Sequence, residues 1–122
     1  MAKILIVDDS GLARRILRSI LESASHQVIE ASEGVTALKQ YYSEKPDLVV
    51  LDLTMDKMSG HEVLAKLIEM DERARVIIAS ADIQRLTREE VLSKGASAFL
   101  YKPLVAKEIL HTVQAVLDGG ER

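Results

Sequence analysis

Residues 4–10 read Ile4-Leu5-Ile6-Val7-Asp8-Asp9-Ser10: four aliphatic side chains, two adjacent acids and a hydroxyl. The apolar run lacks the alternation of a strand wetted on one face. It suits a strand buried on both faces, as in a parallel sheet. Ser10 is a favoured helix N-cap, and Leu12, Ile16, Leu17, Ile20 and Leu21 recur behind it at helical spacing. A buried strand ending in acids and running straight into a helix is the first β–α unit.

The same pattern repeats down the chain. Short apolar runs stand at residues 28–29, 48–51, 76–79 and 98–100. Between and after them, helical spacing is carried by Val35 and Leu38, and by Val63, Leu64, Leu67 and Ile68 behind Gly60. A thinner stripe follows at Ile83, Leu86, Val91 and Leu92, and a last one at Ile109, Leu110, Val113, Val116 and Leu117. Pro103 precedes the last helix and Gly119 fits its C′ position. Five β–α units with right-handed crossovers predict an open, doubly wound α/β parallel sheet with helices on both faces. Five units cannot close an eight-stranded barrel.

Length and composition narrow the rest. A chain of 122 residues predicts one domain with one core. With 48% hydrophobic and 29% charged residues, disorder is excluded. No cysteine is present, which removes disulfides, thiolate metal sites and thiol nucleophiles. The net charge of −3 offers no basic excess for a phosphate backbone, and one Phe, three Tyr and no Trp make base stacking a poor fit. No apolar stretch approaches the roughly 18 residues of a membrane span, and residues 4–7 are too short for a signal-peptide core. A cytoplasmic protein is expected.

In open α/β sheets, ligands bind at the carboxyl ends of the strands. Those ends carry Asp8 and Asp9, Asp52, Ser80, and then Lys102-Pro103. Three carboxylates on neighbouring strand ends repel, by roughly 4 kcal/mol per pair about 4 Å apart at an effective dielectric near 20. A hard dication and one lysine can cancel this, and all-oxygen donors suit Mg2+. One carboxylate is then left to attack phosphorus, with a hydroxyl and an ammonium to hold the transferred oxygens.

The pieces Ile-Leu-Ile-Val-Asp8-Asp9-Ser10, Pro46-Asp47-Leu-Val-Val-Leu-Asp52-Leu, Met58-Ser-Gly60, Ile-Ile-Ala-Ser80-Ala81 and Gly95-Ala96-Ser-Ala-Phe99-Leu-Tyr-Lys102-Pro103 occur in this order. Together they resemble the receiver domain of two-component response regulators over essentially the whole of residues 1–122, with the single-domain chemotaxis type as the nearest pattern. The resemblance implies a flavodoxin-like (βα)5 sheet in the order 2-1-3-4-5, an order that flavodoxin and chemotaxis receivers share. It implies Asp52 as phosphoacceptor, and Mg2+ held by Asp8, Asp9, Asp52 and the backbone carbonyl of Thr54. Lys102 would pair with the phosphoryl group, and the Ser80 hydroxyl would move to bond it. Phe99 falls where the family keeps an aromatic that changes rotamer, and Lys102-Pro103 would be a cis peptide.

The resemblance further implies a protein that accepts phosphate and catalyses its own phosphorylation and dephosphorylation, rather than an enzyme acting on a separate substrate. The donor would be a histidine kinase or histidine phosphotransfer protein. The signal would pass through the surface of the fourth helix, fifth strand and fifth helix to a target protein or a linked output domain, with a phosphorylation-dependent homodimer as a further state. These residues hold no element to read nucleic acid directly. One departure stands out: Asp56 occupies the position where the family usually has proline.

Blander readings compete at several positions. Phe99 could be a half-exposed aromatic on an edge strand. Arg14, Arg15 and Arg18 form either a solvated helix face, with Arg18 and Glu22 as an i,i+4 pair, or a dock for an acidic partner. His26, His61 and His111 have no metal spacing, and Met55 and Met58 are loop cover. As a rival function, a haloacid-dehalogenase-like phosphatase also ends an apolar strand in a nucleophilic Asp. Its second acid would fall on Thr54, which is no general acid. A flavodoxin-like FMN site fails because two acids stand where phosphate needs donors.

Overall fold

The computed structural model describes residues 1–55, 57–82 and 84–120. Asp56, the departure noted in the sequence, Ile83, the first residue of the thinner stripe, and the last two residues lie outside the described residues. The elements run β1 (Lys3–Val7), α1 (Gly11–Ser23), β2 (Gln27–Ala31), α2 (Gly34–Glu44), β3 (Leu48–Asp52), α3 (Gly60–Met70), β4 (Val76–Ser80), α4 (Arg85–Ser93), β5 (Ala98–Tyr101) and α5 (Ala106–Leu117). All strand pairs are parallel and the sheet order is β2-β1-β3-β4-β5, the doubly wound arrangement expected.

The period-two alternation of strand side chains divides each apolar run between two cores. Leu5, Val7, Val49, Leu51, Val76, Ile78 and Phe99 pack beneath α2, α3 and α4, against Ala37, Val63, Leu64, Leu67 and Val91. Ile4, Ile6, Leu48, Val50, Ile77, Ala79, Ala98 and Leu100 face α1 and α5, against Leu17, Leu21, Ile109, Val113 and Val116. Each fully buried Val, Leu or Ile side chain contributes roughly 1.5–3 kcal/mol. That double burial is why β3 and β4 tolerate no polar residue before their last position.

Helix ends follow local chemistry. Ser10 caps α1, its Oγ accepting the Ala13 N–H at 3.1 Å, as its sequence position predicted. Ser59 caps α3 in the same way through Glu62 N–H. At the end of α5, Gly119 N–H reaches Val116 O and Gly120 N–H reaches Ala115 O. This Schellman pattern needs a left-handed residue, and Gly119 supplies it at φ +87°.

Two helical stripes differ from expectation. Only Leu17 and Leu21 of α1 are buried, whereas Leu12 and Ile16 are mostly exposed. Leu12 and Ile16 lie on the i,i+4 row beside the buried pair rather than on it. In α4 only Val91 is fully buried, Leu92 packs partly against the same core, and Leu86 is 74% exposed.

Candidate functional site

Register alone gathers the polar strand ends. Val7 pairs with Leu51, so Asp8 and Asp52 stand level at the ends of β1 and β3. Asp52 pairs with Ala79, so Ser80 lies one step further along β4. Ser80 pairs with Tyr101, which puts Lys102 one step beyond again. The result is a staircase of Asp8 and Asp52, then Ser80, then Lys102, at one rim.

Carboxylate oxygens of Asp8, Asp9 and Asp52 lie within 4.8 Å of one another. Asp8 and Asp52 are buried and Asp9 is exposed. Lys102 Nζ sits between the buried pair, 3.0 Å from Asp8 Oδ2 and 3.4 Å from Asp52 Oδ1. Asp8 Oδ1 also accepts the Ser10 N–H at 2.9 Å, and Asp52 Oδ1 the Thr54 N–H at 3.4 Å. The Lys102–Pro103 bond is cis.

Beneath these acids is a cavity of about 240 Å³ lined mainly by apolar residues of α1, α5 and the sheet, including Ile16, Leu17, Ile20 and Ile109. Burial pushes the Asp52 carboxyl above its ordinary range; Lys102 opposes this and the Asp8 charge adds to it. Burial works against the charge on Lys102, but the hydrogen bond to Asp8 and the charges of Asp52 and Asp8 outweigh it and raise its pKa. Three carboxylates face one ammonium, so the cluster carries an excess of two negative charges. An all-oxygen donor set with that excess fits a hard divalent cation such as Mg2+.

The backbone holding Asp52 is fixed from the side of α3. Gly60 N–H donates to Leu53 O at 2.9 Å. A Cβ at residue 60 would lie 2.5 Å from Leu53 Cα and closer still to the Asp52 carbonyl oxygen, so only glycine permits this approach. Met58 in turn is seated over Gly34, whose added Cβ would meet its Sδ at 2.8 Å. Met58 is thus partly buried loop cover, as its sequence reading had it.

Ser80 is differently held. Its side chain is buried, and its Oγ accepts the Asp82 N–H at 3.0 Å. Asp82 then accepts the Gln84 N–H at 2.9 Å through Oδ1, and the Thr87 hydroxyl at 2.7 Å through Oδ2. Asp82 therefore ties the Ser80 hydroxyl to the first turn of α4, a role that sequence reasoning missed. The signal was present as Ser80-x-Asp82, a turn spacing in which a hydroxyl and then a carboxylate accept backbone N–H groups two residues on.

Phe99 is 9% exposed and belongs to the core beneath α4, so the half-exposed reading does not hold. Although β5 is an edge strand, α4 and its following turn cover this position. Tyr101, two residues on and on the same face, meets the Phe99 ring edge-on at 5.0 Å and is itself 42% exposed. The arginines of α1 are used internally. Arg14 donates to Glu30 at 2.9 Å and to the Asp8 carbonyl oxygen at 2.7 Å, and Arg18 binds Glu30 and Glu22. Burial alone would raise the Glu30 carboxyl, but the hydrogen bonds from Arg18 and Arg14 bring it below its ordinary range.

A family model described as the response regulator receiver domain matches residues 4–114. The chemotaxis protein CheY of Listeria monocytogenes is 38% identical over 115 residues, 93% of this chain and 97% of its own length. The crystal structure of the CheX-CheY-BeF3-Mg2+ complex from Borrelia burgdorferi aligns with a TM-score of 0.90 at 37% identity, covering 93% of this chain and 87% of that one. A LuxR-family two-component response regulator from Aurantimonas aligns with a TM-score of 0.94 at 28% identity, covering 99% and 88%. The phosphatase alternative finds no support in these likenesses, and Thr54 cannot supply its second acid. The chain belongs to the response regulator receiver domains of two-component signalling.

Proposed function

We propose that Asp52 is the phosphoacceptor of this receiver, and that residues 1–122 act as one phosphorylation-controlled unit. The observation that carries the assignment is the position of Asp52: buried at a strand end, level with Asp8 and within reach of Lys102. Asp8, Asp9, Asp52 and the Thr54 carbonyl would hold Mg2+. When bound, the ion supplies the positive charge that lets a carboxylate approach a phosphoryl group.

The Asp52 carboxylate oxygen forms a bond to phosphorus as the bond from phosphorus to the donor breaks. From a phosphohistidine, the leaving imidazole carries away the electron pair of the P–N bond. Lys102 pairs with one phosphoryl oxygen, exchanging part of its contact with Asp8. The Ser80 hydroxyl turns to bond another, giving up the Asp82 N–H. That exchange releases one anchor of α4, and Phe99 beneath α4 is positioned to repack with it. The signal leaves through α4, β5 and α5 toward a target protein, a linked output domain or a second copy of the chain.

The donor is a histidine kinase or phosphotransfer protein. Its approach is favoured by the exposed Leu12 and Ile16 of α1 and Val105 before α5, of which Ile16 lines the same cavity as Lys102 and Pro103. The arginine face is less suited to an acidic partner, since Arg14 and Arg18 are already paired. We infer autocatalytic acyl-phosphate formation and hydrolysis in the cytoplasm; no described helix is long and apolar enough to cross a membrane.

Incubation with acetyl phosphate and Mg2+ should add one phosphoryl group to the intact mass. Asp52→Asn, nearly isosteric, should fold and remain unlabelled, and EDTA should stop labelling of the wild type. Labelling of the Asn variant, or indifference to EDTA, overturns the assignment.

A further inference from the structure

His61 had no assigned role in the sequence, yet the structure gives it an unusual setting. It follows Gly60, whose backbone is pressed against the Asp52 carbonyl, so His61 stands one residue from the most tightly fixed point of the site. Among the described residues its Nδ1 is shut off from solvent and has no hydrogen-bond partner. Across the gap on α4, Glu90 Oε1 lies 3.8 Å away, too far for a hydrogen bond. That oxygen is held at 3.0 Å by Lys94, the residue that caps the end of α4.

A buried nitrogen without a partner is a free-energy cost that some other arrangement of its surroundings can remove. Here a shift of α4 by less than an ångström toward α3 brings Glu90 within reach of His61. Of the two helices, α4 is the one able to move. It buries only Val91, whereas α3 buries Gly60, Val63, Leu64 and Leu67. Its first turn hangs on Asp82 and thence on Ser80.

We propose that His61 and Glu90 form a clasp between α3 and α4 that is open in the unphosphorylated protein and closes on activation. In the closed state His61 Nδ1–H donates to the Glu90 carboxylate, which stays paired with Lys94. The clasp rests on the reading of Asp52 as phosphoacceptor and adds a second route from the site to α4. One route runs through Ser80 and Asp82 to the first turn. The other runs through Gly60 and His61 to Glu90, near the helix's far end. His61 is a positioning residue: it touches no reacting atom and acts by favouring one position of α4.

The test uses beryllofluoride with Mg2+ as the phosphoryl mimic. The readouts are the α4 amide resonances, the ring-nitrogen resonances of His61, and the apparent beryllofluoride affinity. In the wild type, saturation should shift the α4 amides and move the Nδ1 signal to that of a hydrogen-bonded donor. His61→Ala and Glu90→Ala should each retain binding, weaken it by roughly 2- to 10-fold, the worth of one net hydrogen bond, and leave the α4 shifts incomplete. The double variant should be no worse than either single one. His61→Asn, whose amide nitrogen lies near the Nδ1 position, should restore the wild-type response. Melting curves of the unliganded variants should stay close to wild type, which separates the clasp from a merely structural contact. Wild-type α4 shifts in His61→Ala, or additive effects in the double variant, overturn the clasp while leaving Asp52 in place. A wild-type protein that ignores beryllofluoride overturns the phosphoacceptor reading, and the clasp with it.

Discussion

The two sides of the proposed phosphoacceptor site are built differently. On the β1–β3 side, Asp8, Asp52 and Lys102 are already in contact, and α3 packs its first residue directly on the Asp52 backbone. On the β4–α4 side, Ser80 is engaged with its own loop through Asp82, and the helix beyond buries a single side chain. The first side has backbone against backbone and four buried helix residues; the second has a short chain of hydrogen bonds that begins part-buried at Ser80 and ends exposed at Thr87. A switch needs both. A cage that had to assemble at each phosphorylation would lose much of the interaction energy to ordering. A reporter as firmly packed as α3 would not respond to one hydroxyl changing partners. Local stability thus divides between the chemistry and the readout.

The largest expected effect comes from breaking the firm side. Gly60→Ala puts a methyl group 2.5 Å from Leu53 Cα and hard against the Asp52 carbonyl oxygen, backbone atoms that have no rotamer to yield. Overpacking typically costs about 1–3 kcal/mol, and the upper end is expected here because the obstacle is main chain. Urea unfolding should show that loss, and Mg2+ should protect the variant less than wild type because Asp52 is pushed out of register with Asp8. Wild-type stability in Gly60→Ala would mean that α3 is free to shift, and the contrast between the two sides would fall.

Lys102→Ala sharpens the comparison by asking what holds the acids together without metal. Lys102 is three-quarters buried and neutralises two carboxylates. Removing one partner of a fully buried pair costs about 3–5 kcal/mol; the partial exposure of Lys102 reduces this to about 1–3 kcal/mol. The variant should melt lower in EDTA, yet gain more than wild type when Mg2+ is added, because no ammonium competes for the acids. A smaller gain from Mg2+ than in wild type would show that Lys102 organises the donor set rather than competing with the ion.

What the sequence made legible follows the same division. The strands and Asp8, Asp9, Asp52, Ser80 and Lys102 could be read because double burial leaves unbroken aliphatic runs, and polar residues then stand out at their ends. The helix ends at Ser10 and Gly119 were legible because caps are local chemistry. Phe99 was not, since its burial depends on α4 covering an edge strand, a tertiary fact. Nor was the pairing of Arg14 and Arg18 with Glu30, which lies twelve residues beyond Arg18 and meets it only through the packing of α1 on β2. Leu12 and Ile16 matched the helical period but not the core, because periodicity does not say which of two adjacent rows faces the sheet.

Asp82 tests the loose side. Asp82→Ala removes the acceptor for both Gln84 N–H and the Thr87 hydroxyl, without touching a buried side chain. Amides in the first turn of α4 should exchange with solvent faster, while the global unfolding midpoint barely moves. The carboxyl of Asp82 is held below its ordinary range by the Gln84 N–H and then by the Thr87 hydroxyl. Its contribution is therefore present above the unfolded carboxylate pKa and is lost as pH falls through the lowered folded value, so acid should loosen the same amides in wild type. If Asp82→Ala lowers global stability as much as Gly60→Ala does, α4 belongs to the firm part of the molecule.

The smallest effect should come from the opposite end of the sheet, and it serves as the control for acid. His26 is buried beside the start of β1, where its Nδ1 accepts the Ala2 N–H at 3.0 Å. Burial holds its pKa below 6.5, and the positive charge of the nearby chain start pushes the same way. The native state therefore resists protonation of this imidazole while the unfolded chain does not. Above about pH 6.5 both states are neutral and the residue has no pH-dependent effect. As pH falls below that value the unfolded chain takes up the proton first, so stability declines until the lowered native pKa is reached. His26→Asn offers an amide oxygen to the Ala2 N–H and carries no charge at any pH. Its stability should be flatter than wild type below pH 6.5, while the acid loosening of the α4 amides through Asp82 persists unchanged. A His26→Asn variant that abolished both effects would show that acid reaches α4 through the whole sheet, and the two ends could no longer be treated as separate.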